Sequence, residues 1–306
     1  MGRYIIRRII ISLLTLFFLI TIMFVLVRML PGDPFTSSKM TPELRVNMER
    51  YYGFDKPIII QYFQYIKNLF KGDFGYSFNY TNWTVTDIIK QGFPYSLNIG
   101  IRAVAFSSFF GIVLGITASL NRGRIIDKVC ILIAIVGASV PNFVVASLLQ
   151  YVFGVKYKIL PVAGLDTFRH TILPTFALGF YGLAYQTRLM RSSMLEVVNK
   201  DYIKTAKAKG LKRSEIIVKH QIRNAILPIV TVIGPTIAAA ITGTFVIESI
   251  FAIPGIGKYY VLGVQTLDYT LILGLSIFYG FFLVSANFIV DLVYGYVDPR
   301  IKLYDK

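Results

Sequence analysis

Side chains able to do chemistry are few in this chain, and they are scattered. There is one cysteine, Cys130, and there are two histidines, His170 and His220. A lone thiol in an apolar run makes no intrachain disulfide, and neither histidine has companions at metal-ligand spacing. The nearest approach to a phosphate-binding loop runs from Ala252 to Gly257-Lys258-Tyr259. It lacks the first glycine and the Ser or Thr that would hold magnesium. No Gly-x-Ser-x-Gly or His-Glu-x-x-His occurs, so the residues support no catalytic constellation. The remaining signal is polarity inside apolar segments, where an ionisable group is costly and commonly functional. Arg102 lies deep in such a segment and is a candidate for lining a transport path. Asn142, Thr242, Thr244 and Asn287 are neutral candidates for the same path. Arg28, Glu248 and Asp291 fall near segment ends, where snorkelling accounts for them.

The segments that carry these residues define the class. The chain has 306 residues, 55% of them hydrophobic, with a mean hydropathy of +0.61. Several runs approach the roughly 20 apolar residues that cross a bilayer, so the class is an all-α polytopic membrane protein. The formal charge of +16 fits cytoplasmic loops and anionic membrane lipid rather than nucleic acid. Six spans are expected: Ile9–Val27, Ser96–Leu120, Val129–Phe153, Thr171–Met190, Ala225–Ile247 and Tyr269–Tyr294. The third is broken at Pro141-Asn142, and the second carries Gly111-x-x-x-Gly115, a close-packing signature. The fifth is rich in Gly, Ala and Thr. Short basic loops put both termini in the cytoplasm. The organisation is then a first helix over 1–30, a small helical extracytoplasmic insertion over 31–95, five spans over 96–294 and a cytoplasmic tail over 295–306. Within the insertion, Thr41-Pro42-Glu43 starts one helix. A second, from about Pro57, sets Ile59, Phe63, Ile66 and Phe70 on one amphipathic face before Gly72.

The most basic loop, 191–224, holds a short helix of its own. Asp201 suits its N-cap, and Gly210 suits the C′ position, where a left-handed residue stops a helix. Lys200, Lys204 and Lys207 share one face, and Tyr202 and Ala206 share another. A helix of about two turns is not stable alone, so something must hold it. The Tyr202 and Ala206 face makes a knob that fits a partner's groove.

This stretch, Asp201-Tyr-Ile-Lys-Thr-Ala-Lys-Ala-Lys-Gly-Leu211, followed by Arg223-Asn-Ala-Ile-Leu-Pro228, resembles the permease loop of ATP-binding-cassette importers. More narrowly it resembles the oligopeptide/dipeptide permeases of the first-subunit type. Further segments agree in order: Tyr4-Ile-Ile-Arg-Arg8, Leu30-Pro-Gly-Asp-Pro34, Gly72-Asp-Phe-Gly-Tyr-Ser77, Phe93-Pro-Tyr-Ser-Leu97, Leu160-Pro-Val-Ala-Gly164, Glu248-Ser-Ile-Phe251, Pro254-Gly-Ile-Gly257 and Asp298-Pro-Arg300. The general importer motif has Glu-Ala-Ala where this chain has Lys204-Thr205-Ala206, a departure similar to the peptide branch.

The resemblance implies a coupling helix comprising Asp201, Tyr202, Lys204, Thr205, Ala206, Lys207, Ala208, Gly210 and Leu211, seated on a cytoplasmic ATPase subunit. It implies a second homologous permease, two ATPases, and an extracytoplasmic binding protein that delivers peptide. It also implies a prokaryotic cell membrane, with ATP and magnesium held by the partner ATPases and no cofactor on this chain. Same-branch permeases for nickel chelates, metallophores or glutathione, and a self-sufficient secondary transporter, are the alternative readings.

Overall fold

The computed structural model describes residues 2–30, 53, 56–80, 83–242 and 245–297. Among these, all regular structure is helical apart from one isolated antiparallel bridge between Tyr76 and Thr84. The helix expected at Thr41 lies outside the described residues.

The chain forms α1 (Gly2–Arg28), α2 (Ile58–Phe70), α3 (Val85–Leu120), α4 (Ile125–Ser139) and α5 (Asn142–Lys156). It continues with α6 (Phe168–Val197), α7 (Asp201–Ala208), α8 (Arg213–Ala225) and α9 (Leu227–Thr242). The last three helices are α10 (Phe245–Ile250), α11 (Gly257–Gln265) and α12 (Tyr269–Val297). Among the described residues, three single helices, α1, α3 and α12, are long and apolar enough to cross a membrane, and the bent pairs α4–α5 and α8–α9 bring the number to five when each pair is taken as one span. These five match the first, second, sixth, third and fifth expected spans.

Helix α6 sits where the fourth is expected. It is 30 residues long and packs centrally against α3, α4, α5 and α9. A helix wrapped by protein needs less apolar surface than one facing lipid. Gln186 and Thr187 are accordingly buried within α6.

Local chemistry explains the breaks. Residue 141 is a proline, which disfavours helical backbone at the residue before it. Val140 is extended (φ −91°, ψ 123°), and α4 and α5 meet at 105°. Helix α3 starts at Val85 rather than near Ser96, so the last part of the 31–95 stretch is helical and continuous with the span. The cause is a capping box: the Asp87 amide donates to Thr84 Oγ1 (3.0 Å) and the Thr84 amide to Asp87 Oδ2 (3.2 Å).

The Gly111 and Gly115 signature does set a close approach. A Cβ on Gly115 would lie 2.6 Å from Met190 Cβ and 2.8 Å from the Thr187 carbonyl of α6. Helix α1 packs along α12, and Arg8 pairs with Asp291 at 2.8 Å. Asp291 is therefore an ion-pair partner rather than a snorkelling end group.

Candidate functional site

Helix α7 stands out from the bundle on one apolar pair. Ile203 and Ala206, at i and i+3, are buried among Met190, Met194 and Val197 of α6, Ile216 and Ala225 of α8, and Ile229 of α9. Burying an isoleucine this fully contributes about 1.5–3 kcal/mol. That fixes a helix too short to persist alone. Its end is a Schellman stop: the Leu211 amide donates to the Ala206 carbonyl (3.3 Å) and the Gly210 amide to the Lys207 carbonyl (3.0 Å). Gly210 has φ +76° and open space around it, so the position demands glycine for backbone reasons alone.

Two expectations for α7 need correction. The N-cap is Lys200, not Asp201, which is the first helical residue. The Asp201 carboxylate instead accepts from Lys204 Nζ at 2.8 Å. Tyr202 does not share a buried face with Ala206. The inward face is Ile203 and Ala206, because the pocket at the end of α6 is aliphatic, and Tyr202 is 42% exposed. Asp201, Tyr202, Lys204, Thr205, Lys207, Ala208, Gly210 and Leu211 all lie on the free surface. This is a rigid platform that presents charge and one aromatic ring outward. Neighbouring charges are paired locally: Lys200 with Glu196 at 2.9 Å and Lys219 with Glu215 at 3.2 Å.

A cavity of about 330 Å³ opens in the bundle between α3, α6 and α9. Ser107, Asn142, Tyr181, Tyr185 and Thr236 supply its polar groups, and Gly179, Gly182 and Ala240 leave it room. Asn142, the first residue after the 105° break, is therefore brought to the small-residue face of the fifth span. Arg102 is not. It lines a separate cavity with Phe106, Phe168 and Phe176. Its Nε donates to Asn98 Oδ1 at 2.7 Å, and its guanidinium sits 5.4 Å from the Phe168 ring centroid. Asn287 lies on α12 away from the cavity, with Oδ1 buried and unpartnered among the described residues. Thr244 lies outside the described residues, as does the side chain of Thr242, the last residue of α9.

Two buried carboxylates tie the opposite end of the bundle together. Glu248, only 1% exposed, is not a snorkelling group. It accepts from the Ser96 hydroxyl (2.6 Å) and from the Gly257 amide (3.0 Å), while Ser96 Oγ accepts from the Ile256 amide (3.0 Å). The carboxyl group thus lies against the first turn of α11 and holds the 251–257 turn to α3. Asp268 accepts from the Ser77 hydroxyl (2.5 Å) and from the amides of Phe78 (2.9 Å), Asn79 (3.2 Å) and Leu271 (3.0 Å). Burial pushes its carboxyl pKa up, and these donors oppose the rise. Ser96 is 152 positions from Glu248 and Phe78 is 190 from Asp268, so the sequence around each carboxylate does not show what it is tied to.

A family model described as binding-protein-dependent transport system inner membrane component matches residues 111–303. A model for the N-terminal part of such membrane components matches residues 1–100. The dipeptide transport system permease protein of Bacillus subtilis is 44% identical over 307 residues, covering 100% of both chains. An oligopeptide transport system permease protein of Haemophilus influenzae is 41% identical, over 99% of this chain and 100% of the other. Among solved structures, the inward-facing MetNI methionine ABC transporter matches with a TM-score of 0.54 at 15% identity. It covers 69% of this chain and 96% of that one, a likeness of fold.

Proposed function

This chain belongs to the family of inner-membrane components of binding-protein-dependent transport systems, and from that premise we propose that it is the permease subunit of an ATP-driven peptide importer. The full-length relatives are named for dipeptide and oligopeptide transport, and no observation favours a nickel-chelate, metallophore, glutathione or secondary-transport reading. The observation that carries the proposal is α7: an exposed two-turn helix clamped by Ile203 and Ala206 and stopped at Gly210.

Such a helix moves as one body with the ends of α6, α8 and α9. Force applied at its outer face reaches the walls of the Asn142–Tyr185 cavity through α6 and α9, which line it. In this mechanism two cytoplasmic ATPases supply ATP and magnesium, one of them docking on α7. A second homologous permease faces the cavity, and an extracytoplasmic binding protein delivers peptide. This role asks for no hydrolytic group on the chain itself. Asp201, Tyr202, Lys204, Lys207 and Leu211 make the docking surface. Of the path candidates, Asn142 lines this cavity, and Arg102 and Asn287 lie outside it. Six spans with both termini cytoplasmic complete the reading.

Purification of the tagged chain in mild detergent followed by mass spectrometry tests it. Recovery of a second permease and two nucleotide-binding ATPases is the expected result. A homo-oligomer without ATPase, under conditions that preserve comparable complexes, would overturn it.

A further inference from the structure

Helix α2 carries its apolar stripe outward. Ile59 is 70% exposed, Phe63 65% and Phe70 89%, and with Ile66 they span an arc of about 60° at 100° per residue. Gln61, Gln64 and Asn68 fall on nearly the opposite side, and Tyr62, Tyr65 and Leu69 between the two. That intermediate side packs on Phe24 and Val27 of α1 and on Ile272 and Leu273 of α12.

Two contacts fix which way the stripe points. Tyr62, on the edge next to the stripe, hydrogen-bonds Thr21 of α1 through the two hydroxyls at 2.6 Å. The amide side, Gln61, Gln64 and Asn68, lines a small cavity with Arg28, the last residue of α1. Thr21 lies about 10 Å below Arg28 along the helix, at 1.5 Å per residue. Passing from the amide side of α2 to its stripe is therefore passing from the mouth of α1 into its apolar run. There the exposed face of α1 itself, Phe18, Ile22 and Val25, is apolar and open to lipid.

We propose that α2 is an interfacial helix, lying in the membrane at the C-terminal end of α1 with Ile59, Phe63, Ile66 and Phe70 among the acyl chains. Its stripe continues the lipid face of α1 at the depth where interfacial helices lie, some 5–10 Å into the headgroup boundary. The exposed Lys56, Lys67 and Lys71 suit anionic headgroups. The leaflet is the outer one if the orientation proposed above holds; the depth is independent of that reading.

The test uses the full chain with its co-purifying subunits, reconstituted in vesicles of phosphatidylethanolamine and phosphatidylglycerol. In a Cys130→Ala background, Phe63→Cys, Asn68→Cys and Phe17→Cys are each labelled with an environment-sensitive fluorophore. At Phe63 the emission shifts to the blue, is quenched by nitroxide-bearing lipid and resists aqueous iodide. At Asn68 the pattern reverses. Iodide quenching at Phe63 would overturn the proposal, and so would shielding from both quenchers, which means that a protein partner covers the stripe. Phe17 on α1 is the reference: if lipid nitroxide fails to quench it, the span reading of α1 falls, and the placement of α2 with it.

Discussion

Helices α2 and α7 end alike and face opposite ways. At α7 the Gly210 amide donates to Lys207 and the Leu211 amide to Ala206; at α2 the Gly72 amide donates to Leu69 and the Asp73 amide to Asn68. Gly210 and Gly72 have φ +76° and +74°, both in open space. Yet α7 turns its apolar pair inward and its charge outward, while α2 leaves Ile59, Phe63 and Phe70 uncovered. The stop is a backbone device that says nothing about function. What the helix offers its surroundings is set by which face the bundle covers. A polar face suits a soluble protein in water, and an apolar face at the end of a span suits lipid.

The strongest way to break the contrast is to attack what holds each helix. Ile203→Asp puts a carboxylate where no solvent reaches, among Met190, Met194 and Ile216. The cost is on the order of 3–5 kcal/mol, enough to unseat α7. Membrane insertion persists, and both transport and ATPase recovery are lost, as read by peptide uptake and co-purification. The counterpart is Asp268→Ala, which frees the turn that follows α2. Removing the acceptor orphans donors on Ser77, Phe78, Asn79 and Leu271. On the order of 3 kcal/mol is lost, seen as a lower unfolding midpoint in detergent, while ATPases still co-purify with the surviving protein.

A finer comparison uses the two stops. Gly210→Val and Gly72→Val meet no neighbour, so each costs about 1–2 kcal/mol of backbone strain and nothing more. Equal strain separates position from stability. Gly210→Val abolishes uptake at unchanged membrane level, and Gly72→Val retains most of it. Equal loss from both would mean that uptake reports only global stability.

The sequence made the spans legible because apolar runs and a proline break are local signals. Gly210 was legible for the same reason: a left-handed stop needs only its own neighbours. The inward face of α7 was not. Eight residues hold too few periods to choose between Tyr202 and Ile203, and the choice falls to the aliphatic side chains at the end of α6. Thr84 and Asp87, at capping-box spacing, were a readable signal that the expected span start at Ser96 passed over. Glu248 and Asp268 could not be read as ties, because the donors they tie to, Ser96 and the Ser77–Asn79 turn, come from distant parts of the chain. Arg102 does not reach the Asn142 cavity, since depth in a helix does not say which side a residue faces; it bonds Asn98 and lies over the Phe168 ring instead.

The smallest effect on the fold is the most informative about docking. Lys204 stands where the general importer motif has glutamate, and its side chain is 71% exposed beside an Asp201 that is 93% exposed. A pair so open to water is screened and does little for stability, so Lys204→Ala leaves the unfolding midpoint where it was. Any change must then arise at the partner. Weaker ATPase recovery, or fewer peptides moved per ATP hydrolysed, assigns the ammonium to the docking surface. Wild-type behaviour on both would move the contact to Tyr202 and Leu211, the exposed apolar groups of the same platform. It would also bring α7 closer to α2 than their charges suggest, since both would then engage their surroundings through apolar surface, one with protein and the other with lipid.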